Sequence, residues 1–452
     1  MIAAVTRAGA PATRADGDNM ILSIVIAAIT CAAMIASVLF FPRIKVGKVS
    51  LDTYWMVALL GAVVMLATGM ISLGGLWNAL TDTSAIGPIK ILLLFLSMTI
   101  LSVFLDEVGF FRYLANKALR LAGKDQVKMF AVVYWTVSVL TVFTSNDVIV
   151  LTFTPFLCYF AKNAHIDPKP YLIAEFIAAN TMSMTFVIGN PTNIYIATTY
   201  GVTFIDYFLV MALPTLAAAA VAFGVLFLLF HRTLRAPVLA TPEEVTIEDK
   251  PMLITGISLL LVATGFLIVG PYVGVPMWLV AVAAVGVLVV TATILSLVRR
   301  RAPVELGRTF RRAPWQLVPF VLSMFVLILA LTTQGVTDKI GRAIGTRLAV
   351  WKYGFLSLLS ANLINNIPMS VLFCPIIGTL PAGDRLGAIY ATIVGSNLGA
   401  FLTPIGALAG IMWLSMLKKH EVKMGFLDFV KYGAAVAFPA LGAALAVLSV
   451  VL

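Results

Sequence analysis

Short polar residues interrupt four apolar stretches of this chain, and they are the residues best suited to chemistry. Two of the interruptions are Ser145-Asn146-Asp147 and Asn365-Asn366. Their carboxamide, hydroxyl and carboxylate oxygens suit hard cations, and Asp147 can also exchange a proton. A charge at the centre of an apolar segment costs about 3 kcal/mol on insertion scales, so Asp147 requires a role. These residues predict a site for an ion or a small solute.

The other two interruptions break longer apolar runs, where Pro191 and Pro404 lack the N–H group that continues a helix. Carbonyls freed at such a break suit cations, and the N–H groups that begin the next half-helix suit anions or hydroxyl-bearing solutes. The residues that we predict to line the site from these breaks are Asn180, Gly189, Asn190, Thr192, Asn193, Ser396, Asn397, Thr403 and Gly406.

Three further carboxylates lie in or beside apolar segments. Glu175 precedes Asn180 by five residues and is the second candidate, after Asp147, for handling a coupling ion. Its alternative is a carboxylate that reaches water near the cytoplasmic end of its helix. Asp106 and Glu107 close an apolar segment beside a basic connector, and we predict that they pair with Arg112.

The interruptions recur at matching places in two halves of the chain. At an offset of 226, Ser97 and Gly109 are echoed by Ser323 and Gly335. Asn146 likewise answers Asn366 further along. Polar breaks at matching places in two hydrophobic halves are typical of secondary transporters whose site lies between inverted repeats.

Composition places the chain in a membrane. Of 452 residues, 61% are hydrophobic and only 11% charged, with a mean hydropathy of +1.03, which is too little polar surface for a water-soluble globule. Cys31, Cys158 and Cys374 lack disulfide-framework or zinc spacing. No histidine lies deep in an apolar segment, so an enzyme is disfavoured and no metal or cofactor is predicted beyond H⁺ or Na⁺ as coupling ion.

The predicted fold is an all-α polytopic membrane protein. It has two inverted repeats of five transmembrane helices, each with a re-entrant hairpin and a broken helix, because the hairpin arms are short for ~30 Å of hydrocarbon. The predicted spans are 19–42, 52–75, 88–107, 169–200, 207–230, 253–271, 275–298, 315–334, 385–417 and 431–452, and the hairpin arms are 129–144 with 148–161 and 352–364 with 368–380.

These elements divide the chain into four parts. We predict a polar N-terminal tail (1–18), a first repeat (19–230) with hairpin 129–161 and broken helix 169–200, a cytoplasmic linker (231–252), and a second repeat (253–452) with hairpin 352–380 and broken helix 385–417. With both termini outside, 23 of the 31 Lys and Arg residues face the cytoplasm. The net charge of +11 therefore reflects membrane orientation, and no nucleic-acid partner is predicted.

Several blocks together resemble the membrane subunit of arsenite efflux pumps, within the wider ion transporter superfamily. They are Leu105-Asp106-Glu107-Val108-Gly109-Phe110-Phe111, Arg312-Ala313-Pro314-Trp315-Gln316, Asn365-Asn366-Ile367-Pro368 and Leu402-Thr403-Pro404-Ile405-Gly406-Ala407-Leu408. The likeness extends over roughly residues 50–452. The chain departs from the arsenite-pump pattern at Gly189-Asn190-Pro191-Thr192-Asn193 and at Asn397-Leu398-Gly399-Ala400, where pumps carry Ser-Asn-x-x-Asn and Asp-Leu-Gly-Pro.

The resemblance implies a scaffold part and a transport part that moves as an elevator, often in a homodimer. The hypothesis is proton-coupled efflux of arsenite or antimonite across the cytoplasmic membrane, with a cytoplasmic ATPase subunit as an implied partner. The alternative is a sodium- or proton-coupled transporter of a small organic or inorganic anion, of the citrate or dicarboxylate type, or a sodium/proton antiporter. A channel is disfavoured because it would not require a charge at one tip only, and a structural scaffold is disfavoured because it has no need for paired broken helices.

Overall fold

The structure is a computed structural model that describes residues 14–41, 43–46, 49–81, 87–235, 238 and 245–452. The first thirteen residues of the predicted tail, and residues 236–237 and 239–244 of the predicted linker, lie outside the described residues. The described chain is almost entirely helical, as predicted, with one two-stranded sheet.

The described residues of the first half form ten α-helices, with a short 3-10 turn at Val187–Gly189 inside the first broken helix. The helices are α1 (Arg14–Phe40), α2 (Tyr54–Ala67), α3 (Leu73–Thr81), α4 (Pro88–Glu107), α5 (Phe110–Ala122), α6 (Gln126–Phe143), α7 (Asn146–Ala164), α8 (Lys169–Met182), α9 (Pro191–Thr199) and α10 (Phe204–Phe230). Strands β1 (Arg43–Val46) and β2 (Val49–Asp52) pair antiparallel between α1 and α2. The all-helical prediction missed this hairpin, which Arg43 and Asp52 close with an ion pair at 2.9 Å.

The second half contains ten more α-helices. They are α11 (Lys250–Val269), α12 (Met277–Val298), α13 (Val304–Arg312), α14 (Leu317–Thr333), α15 (Val336–Ile344), α16 (Ala349–Ile364), α17 (Asn366–Gly378), α18 (Arg385–Gly399), α19 (Leu408–Lys419) and α20 (Phe426–Val451).

The order of elements repeats between the halves. The seven helices α4 to α10 correspond to α14 to α20. Within this correspondence, α5 and α15 each begin after a glycine in the left-handed conformation, Gly109 (φ 83°) and Gly335 (φ 74°). The packing is reciprocal as well: α2 contacts α14 as α12 contacts α4, and α7 contacts α19 as α17 contacts α9. This reciprocity supports a twofold relation between the halves. Their inverted orientation in a membrane stays a prediction.

Eight of the described helices are long and apolar enough to cross a membrane. The segments are Gly17–Phe40, Pro88–Glu107, Gln126–Phe143, Phe204–Phe230, Lys250–Val273, Met277–Val298, Val304–Thr333 and Phe426–Val451. Many leucine, valine and isoleucine side chains on these helices are exposed, which suits contact with lipid. The chain is therefore a multi-span membrane protein.

Three predicted boundaries are wrong. The predicted span 52–75 is interrupted, because α2 ends at Ala67 and Gly69 takes a left-handed conformation (φ 71°) that stops a helix. The tail was predicted to reach residue 18, whereas α1 begins at Arg14. The first arm of the first hairpin, α6, has 18 residues because Asp125 caps it and the helix begins at Gln126, three residues before the predicted start. Its length alone therefore does not make α6 re-entrant.

The broken helices lie at the centre of the fold. α8 packs against α6, α7 and α10, and α18 packs correspondingly against α16, α17 and α20. α10 and α20 pack against each other, and α8 also contacts α18. A second group of contacts joins α1, α2, α4, α11, α12 and α14. Both hairpins and both broken helices therefore lie on one side of the boundary between these two groups.

We expect the close approach of α16 and α18 to depend on Gly395. A Cβ atom there would lie 2.0 Å from Ser357 Oγ and 2.2 Å from the Gly354 carbonyl oxygen, so one helix would have to move. Overpacking of this kind costs typically 1–3 kcal/mol. Gly395→Ala should lower the thermal unfolding temperature of the detergent-solubilised protein. Gly286→Ala on α12, where a Cβ meets no atom within 4 Å, is the matched control and should not lower it.

Candidate functional site

The tip of the first hairpin is short and buried. Ser145 and Asn146 begin α7, and Asn146 Nδ2 donates a hydrogen bond of 3.0 Å to Asn180 Oδ1 on α8. Ser145 Oγ and Asn146 Oδ1 are buried and have no hydrogen-bond partner among the described residues. Because buried polar atoms are nearly always satisfied, these two oxygens are open acceptors for a bound species.

The backbone at this tip is open too. Ser145 is the N-cap of α7 but its side chain caps no N–H group. The first backbone hydrogen bond of α7 runs from the Ile149 N–H to the Ser145 carbonyl oxygen, at 3.3 Å. In the described part of the chain, the N–H groups of Asn146, Asp147 and Val148 find no acceptor. Such groups carry the positive end of the helix dipole and attract anions or hydroxyl oxygens.

Asp147 is the acidic residue at this tip. Its side chain is half-buried, and it takes part in none of the ion pairs formed by described residues. Tyr54, at the start of α2, lies within electrostatic range of its carboxylate. The structure thus places a carboxylate without a cationic partner beside two open oxygens.

The tip of the second hairpin is held in a different way. Asn365 takes a positive φ of 73°, which strains a non-glycine backbone. Its Oδ1 accepts from the Ile367 N–H at 3.3 Å and its Nδ2 donates to the Ile405 carbonyl at 3.1 Å. The Asn366 N–H donates to the Gly406 carbonyl at 3.0 Å, and Pro368 has no N–H. The N-terminus of α17 is therefore satisfied, unlike that of α7.

Asn366 nevertheless keeps a free side chain. It is 4% exposed, and its carboxamide makes no hydrogen bond with another residue in the described ranges. The two equivalent asparagines, Asn146 and Asn366, thus both retain unused polar atoms, although only the first tip offers open N–H groups. This difference makes the two tips chemically unequal.

In each broken helix, a glycine lies where the chain folds back. A Cβ atom on Gly189 would lie 2.3 Å from the Ser183 carbonyl oxygen, and one on Gly406 would lie 2.4 Å from the Gly399 carbonyl oxygen. The chain folds back on the preceding half-helix at both points, so neither glycine can be replaced without moving backbone. The prediction that both glycines permit close backbone approach agrees with this geometry.

Four of the predicted site residues form a closed network between the two breaks. Asn397 Oδ1 accepts from Asn190 Nδ2 at 3.0 Å and lies 2.9 Å from Ser183 Oγ. Asn397 Nδ2 donates to Asn193 Oδ1 at 2.7 Å and to the Ile393 carbonyl at 2.8 Å. Asn190 Oδ1 in turn accepts from the N–H of Thr192 at 3.1 Å. These side chains satisfy one another and therefore join the two broken helices.

The network connects to the first hairpin tip through Ser183. Its hydroxyl lies 2.8 Å from the Asn180 carbonyl oxygen as well as 2.9 Å from Asn397 Oδ1, and it donates to one at a time. Because Asn180 also holds Asn146, hydrogen-bonded residues run from the first tip to the second broken helix. The structure thus brings the predicted residues of both halves into one polar region.

The sequence analysis did not identify Asn362, which forms the corresponding hydrogen bonds in the second half. Asn362 Oδ1 accepts from the Thr403 hydroxyl at 2.7 Å and the Thr403 N–H at 2.9 Å, and its Nδ2 donates to the Gly399 carbonyl at 3.0 Å. It ties the predicted residue Thr403 to hairpin helix α16. The signal was present, since Asn362 stands three residues before Asn365 in the same apolar segment.

Two other hydroxyls near the network are open. Ser396, a predicted site residue, and Thr181, which was not predicted, are fully buried, and their side-chain oxygens have no partner among the described residues. They directly precede Asn397 and follow Asn180, respectively. The open atoms of the region therefore belong to the tips and to these two hydroxyls.

Glu175 is completely buried, so the alternative that it reaches water is wrong. Thr154 Oγ1 lies 3.1 and 3.3 Å from its two carboxylate oxygens, and the indole of Trp413 lies near the same carboxylate without forming a hydrogen bond to it. No described ion pair involves Glu175. A carboxylate in this setting must be neutralised by a proton or an ion.

The prediction for Asp106 and Glu107 is wrong in its partner. Both carboxylates pair with Arg312 of the second half, and the Arg312–Asp106 distance is 2.7 Å. Arg112 is exposed and forms no ion pair with either. The reason is geometric: α13 packs along α4, which brings Arg312 to the carboxylates although 205 residues separate it from Glu107.

A cavity lies elsewhere in the described residues. It has a volume of about 220 Å³ and lies between α4, the turn from α9 to α10 and the loop before α12, with Leu94, Val202 and Trp278 in its wall. None of the predicted site residues lines it. The unpartnered oxygens of Ser145 and Asn146 at the first tip are themselves buried.

Similarity to known proteins defines the class. The arsenical pump membrane protein of Escherichia coli K12 is 28% identical over 415 residues, covering 87% of this chain and 92% of that protein. The corresponding protein of Yersinia enterocolitica is 27% identical, covering 86% and 91%. A 46 kDa membrane protein of Mycobacterium leprae is 26% identical, covering 77% and 82%. Together with the fold, these relatives identify a membrane transporter.

The family follows from a direct match. Residues 53–391 match the CitMHS family, described as citrate transporter, and the chain belongs to this family. This confirms the predicted placement within the ion transporter superfamily. The fold also resembles the crystal structure of the YdaH transporter of Alcanivorax borkumensis, with a TM-score of 0.51 and 12% identity over 96% of this chain and 98% of that one.

The hydrogen bonds separate asparagines that hold the fold from those available to a solute. Asn397→Ala removes the acceptor of Asn190 Nδ2 and the Nδ2 donor to Asn193 Oδ1, at roughly 1–3 kcal/mol for each buried group left unsatisfied. We expect a large drop in the thermal unfolding temperature. Asn366→Ala removes no side-chain hydrogen bond and should leave that temperature nearly unchanged while impairing transport. Equal destabilisation by the two substitutions would contradict this assignment.

Proposed function

We propose that this protein exports arsenite or antimonite, as the neutral hydroxide, across the cytoplasmic membrane in exchange for protons. One observation carries the proposal: the first hairpin tip presents unused N–H donors and unused oxygen acceptors beside an unpaired Asp147. The arsenical pump relatives support the choice of solute.

The chemistry of this tip suits a trihydroxide. Each hydroxyl of the solute has a proton to donate and an oxygen that accepts. Ser145 Oγ and Asn146 Oδ1 can receive the protons, and the N–H groups that begin α7 can donate to the oxygens. A neutral solute needs no cationic side chain. Asn366, Thr181 and Ser396 add further open groups around the two breaks.

Two carboxylates are proposed to carry the coupling ion. Asp147 lies at the tip and is half-buried, so it can gain a proton on one side of the membrane and lose it on the other. Glu175 is fully buried between Thr154 and Trp413 and is proposed as a second proton carrier. Na⁺ is the alternative coupling ion, because the same open oxygens suit a hard cation.

We propose an elevator motion for this transport. Both hairpins and both broken helices pack together with α10 and α20, while α1, α2, α4, α11, α12 and α14 contact one another in a second group. The first group is proposed to carry the solute past the second. The homodimer and the cytoplasmic ATPase subunit are further predictions from the resemblance to arsenite pumps.

A second candidate solute is a small carboxylate anion. The family description, citrate transporter, and the uncapped N-terminus of α7 both favour it. Multivalent carboxylates are usually bound by Arg in a bidentate manner. In the described residues, the polar contacts of Asn146, Asn366 and Asn397 involve no Lys or Arg side chain, so the neutral hydroxide is preferred.

Asp147→Asn tests the coupling. In proteoliposomes with an imposed pH gradient, the substitution should abolish uphill arsenite movement while downhill exchange of arsenite persists, because the amide cannot carry the proton. Asp384→Asn, at an exposed aspartate before α18, is the matched control and should transport normally. Unchanged uphill transport by the Asp147 variant would remove this residue from the coupling mechanism.

Direct competition between solutes tests the substrate. We expect arsenite and antimonite to drive counterflow of radiolabelled arsenite across proteoliposomes, and citrate at the same concentration to leave it unchanged. The reason is that the tip offers hydrogen bonds without a paired cationic side chain. Saturable citrate flux without arsenite flux would establish the second candidate instead.

A further inference from the structure

Two sequence motifs that the proposed site does not use meet on one face of the fold. Asp106-Glu107 ends α4, and Arg312 ends α13 in the other half. Arg312 forms ion pairs with both carboxylates, at 2.7 Å in the case of Asp106. From the first hairpin, Thr152 Oγ1 donates to Asp106 Oδ1 at 2.7 Å.

The burial of this cluster shows why Arg312 is needed. The side chains of Asp106 and Glu107 are only 8% and 9% exposed, while that of Arg312 is 42% exposed. Buried carboxylates are costly unless they are paired and hydrogen-bonded. The more exposed Arg312 forms its ion pair with Asp106 through the Oδ2 oxygen. The other carboxylate oxygen, Asp106 Oδ1, remains to accept the hydrogen bond from Thr152. The acceptor is therefore charged and fixed in place.

Thr152 is the partner that has a second acceptor available. It lies six residues after Asn146 on α7, about 9 Å along the helix from the hairpin tip. Its hydroxyl also lies 2.9 Å from the Val148 carbonyl oxygen of its own helix, and it has a single proton to donate. Thr152 can therefore release Asp106 and keep a hydrogen bond within α7, so separation of the helices leaves no unsatisfied hydroxyl.

We propose that the Thr152–Asp106 hydrogen bond is a latch that holds the first hairpin against α4 in the conformation seen here, with Arg312 as a positioning residue for the acceptor. The latch rests on the proposed function in one respect, namely that the hairpin moves relative to α4. Loss of the latch should shift the population of conformations without changing the solute site, which lies at the hairpin tip.

Cross-linking between the two helix groups measures the population of the latched conformation. Leu94 on α4 and Val202 after α9 both line the 220 Å³ cavity between the two helix groups. In a background with Cys31, Cys158 and Cys374 replaced by alanine, Leu94→Cys with Val202→Cys can be bridged by a short bis-maleimide. We expect the bridge to form readily in this background and to stop arsenite counterflow.

The latch predicts the effect of Thr152→Val on that bridge. The equilibrium between the conformations should shift about tenfold away from the one seen here, the shift that one hydrogen bond to a charged group supports, and the initial cross-linking rate should fall as the population of that conformation falls. Thr152→Ser retains the hydroxyl and should restore the rate. Thr291→Val is the matched control, because its hydroxyl bonds only to the Val287 carbonyl of its own helix, and it should cross-link like the parent.

Arg312→Gln separates the latch from simple stability. This substitution leaves two buried carboxylates without their cation and should lower the thermal unfolding temperature, whereas Thr152→Val should not. If Thr152→Val fails to fold, Asp106→Asn gives a second test, because its neutral acceptor weakens the latch and should also slow cross-linking.

The outcomes distinguish the two proposals. A bridge that forms without affecting arsenite counterflow would contradict the proposed motion. A bridge that blocks counterflow but forms at the parent rate in both Thr152→Val and Asp106→Asn would overturn the latch and leave the motion intact. A drop of the same size in Thr291→Val would overturn it as well.

Discussion

The structure depends on the need of interrupted backbone for partners inside a membrane. Lipid offers no hydrogen bonds, so each helix end that stops within the bilayer must be satisfied by protein, water or a solute. Here the Asn397 carboxamide accepts from Asn190 and donates to Asn193, which joins the two breaks, and the Asn362 carboxamide accepts from Thr403, which joins α16 to the second break. We propose that the solute forms the hydrogen bonds that remain unsatisfied at the first hairpin tip.

The two halves share an order of helices and a pattern of packing, yet their tips have diverged. Asn365 and Gly406 close the backbone of the second tip, whereas the first tip keeps open N–H groups and carries the carboxylate Asp147. A repeated fold can thus supply a rigid frame from one copy and the polar chemistry from the other. In the proposed mechanism, solute and proton therefore meet at the first tip, while the second contributes Asn366.

Much of this arrangement could be predicted from the sequence, because prolines, glycines and polar residues mark helix breaks wherever they fall. The broken helices at Pro191 and Pro404 and the matched asparagines Asn146 and Asn366 follow from that rule. The role of each asparagine could not be predicted, since Asn397 and Asn366 look alike in sequence and only their neighbours show that one is saturated. The pairing of Arg312 with Asp106 was missed because sequence proximity favoured Arg112. The short strands at Arg43–Val46 and Val49–Asp52 were missed because the composition indicated only helices.

The most direct measurement is hydrogen exchange of the backbone amides at the start of α7, followed by mass spectrometry of the purified protein with and without antimonite. We expect antimonite to slow exchange at Asn146, Asp147 and Val148, because it accepts hydrogen bonds from these groups. Exchange at the start of α17 should change little, since its N–H groups already have partners. Unchanged exchange at the first tip under conditions where antimonite is transported would contradict the account.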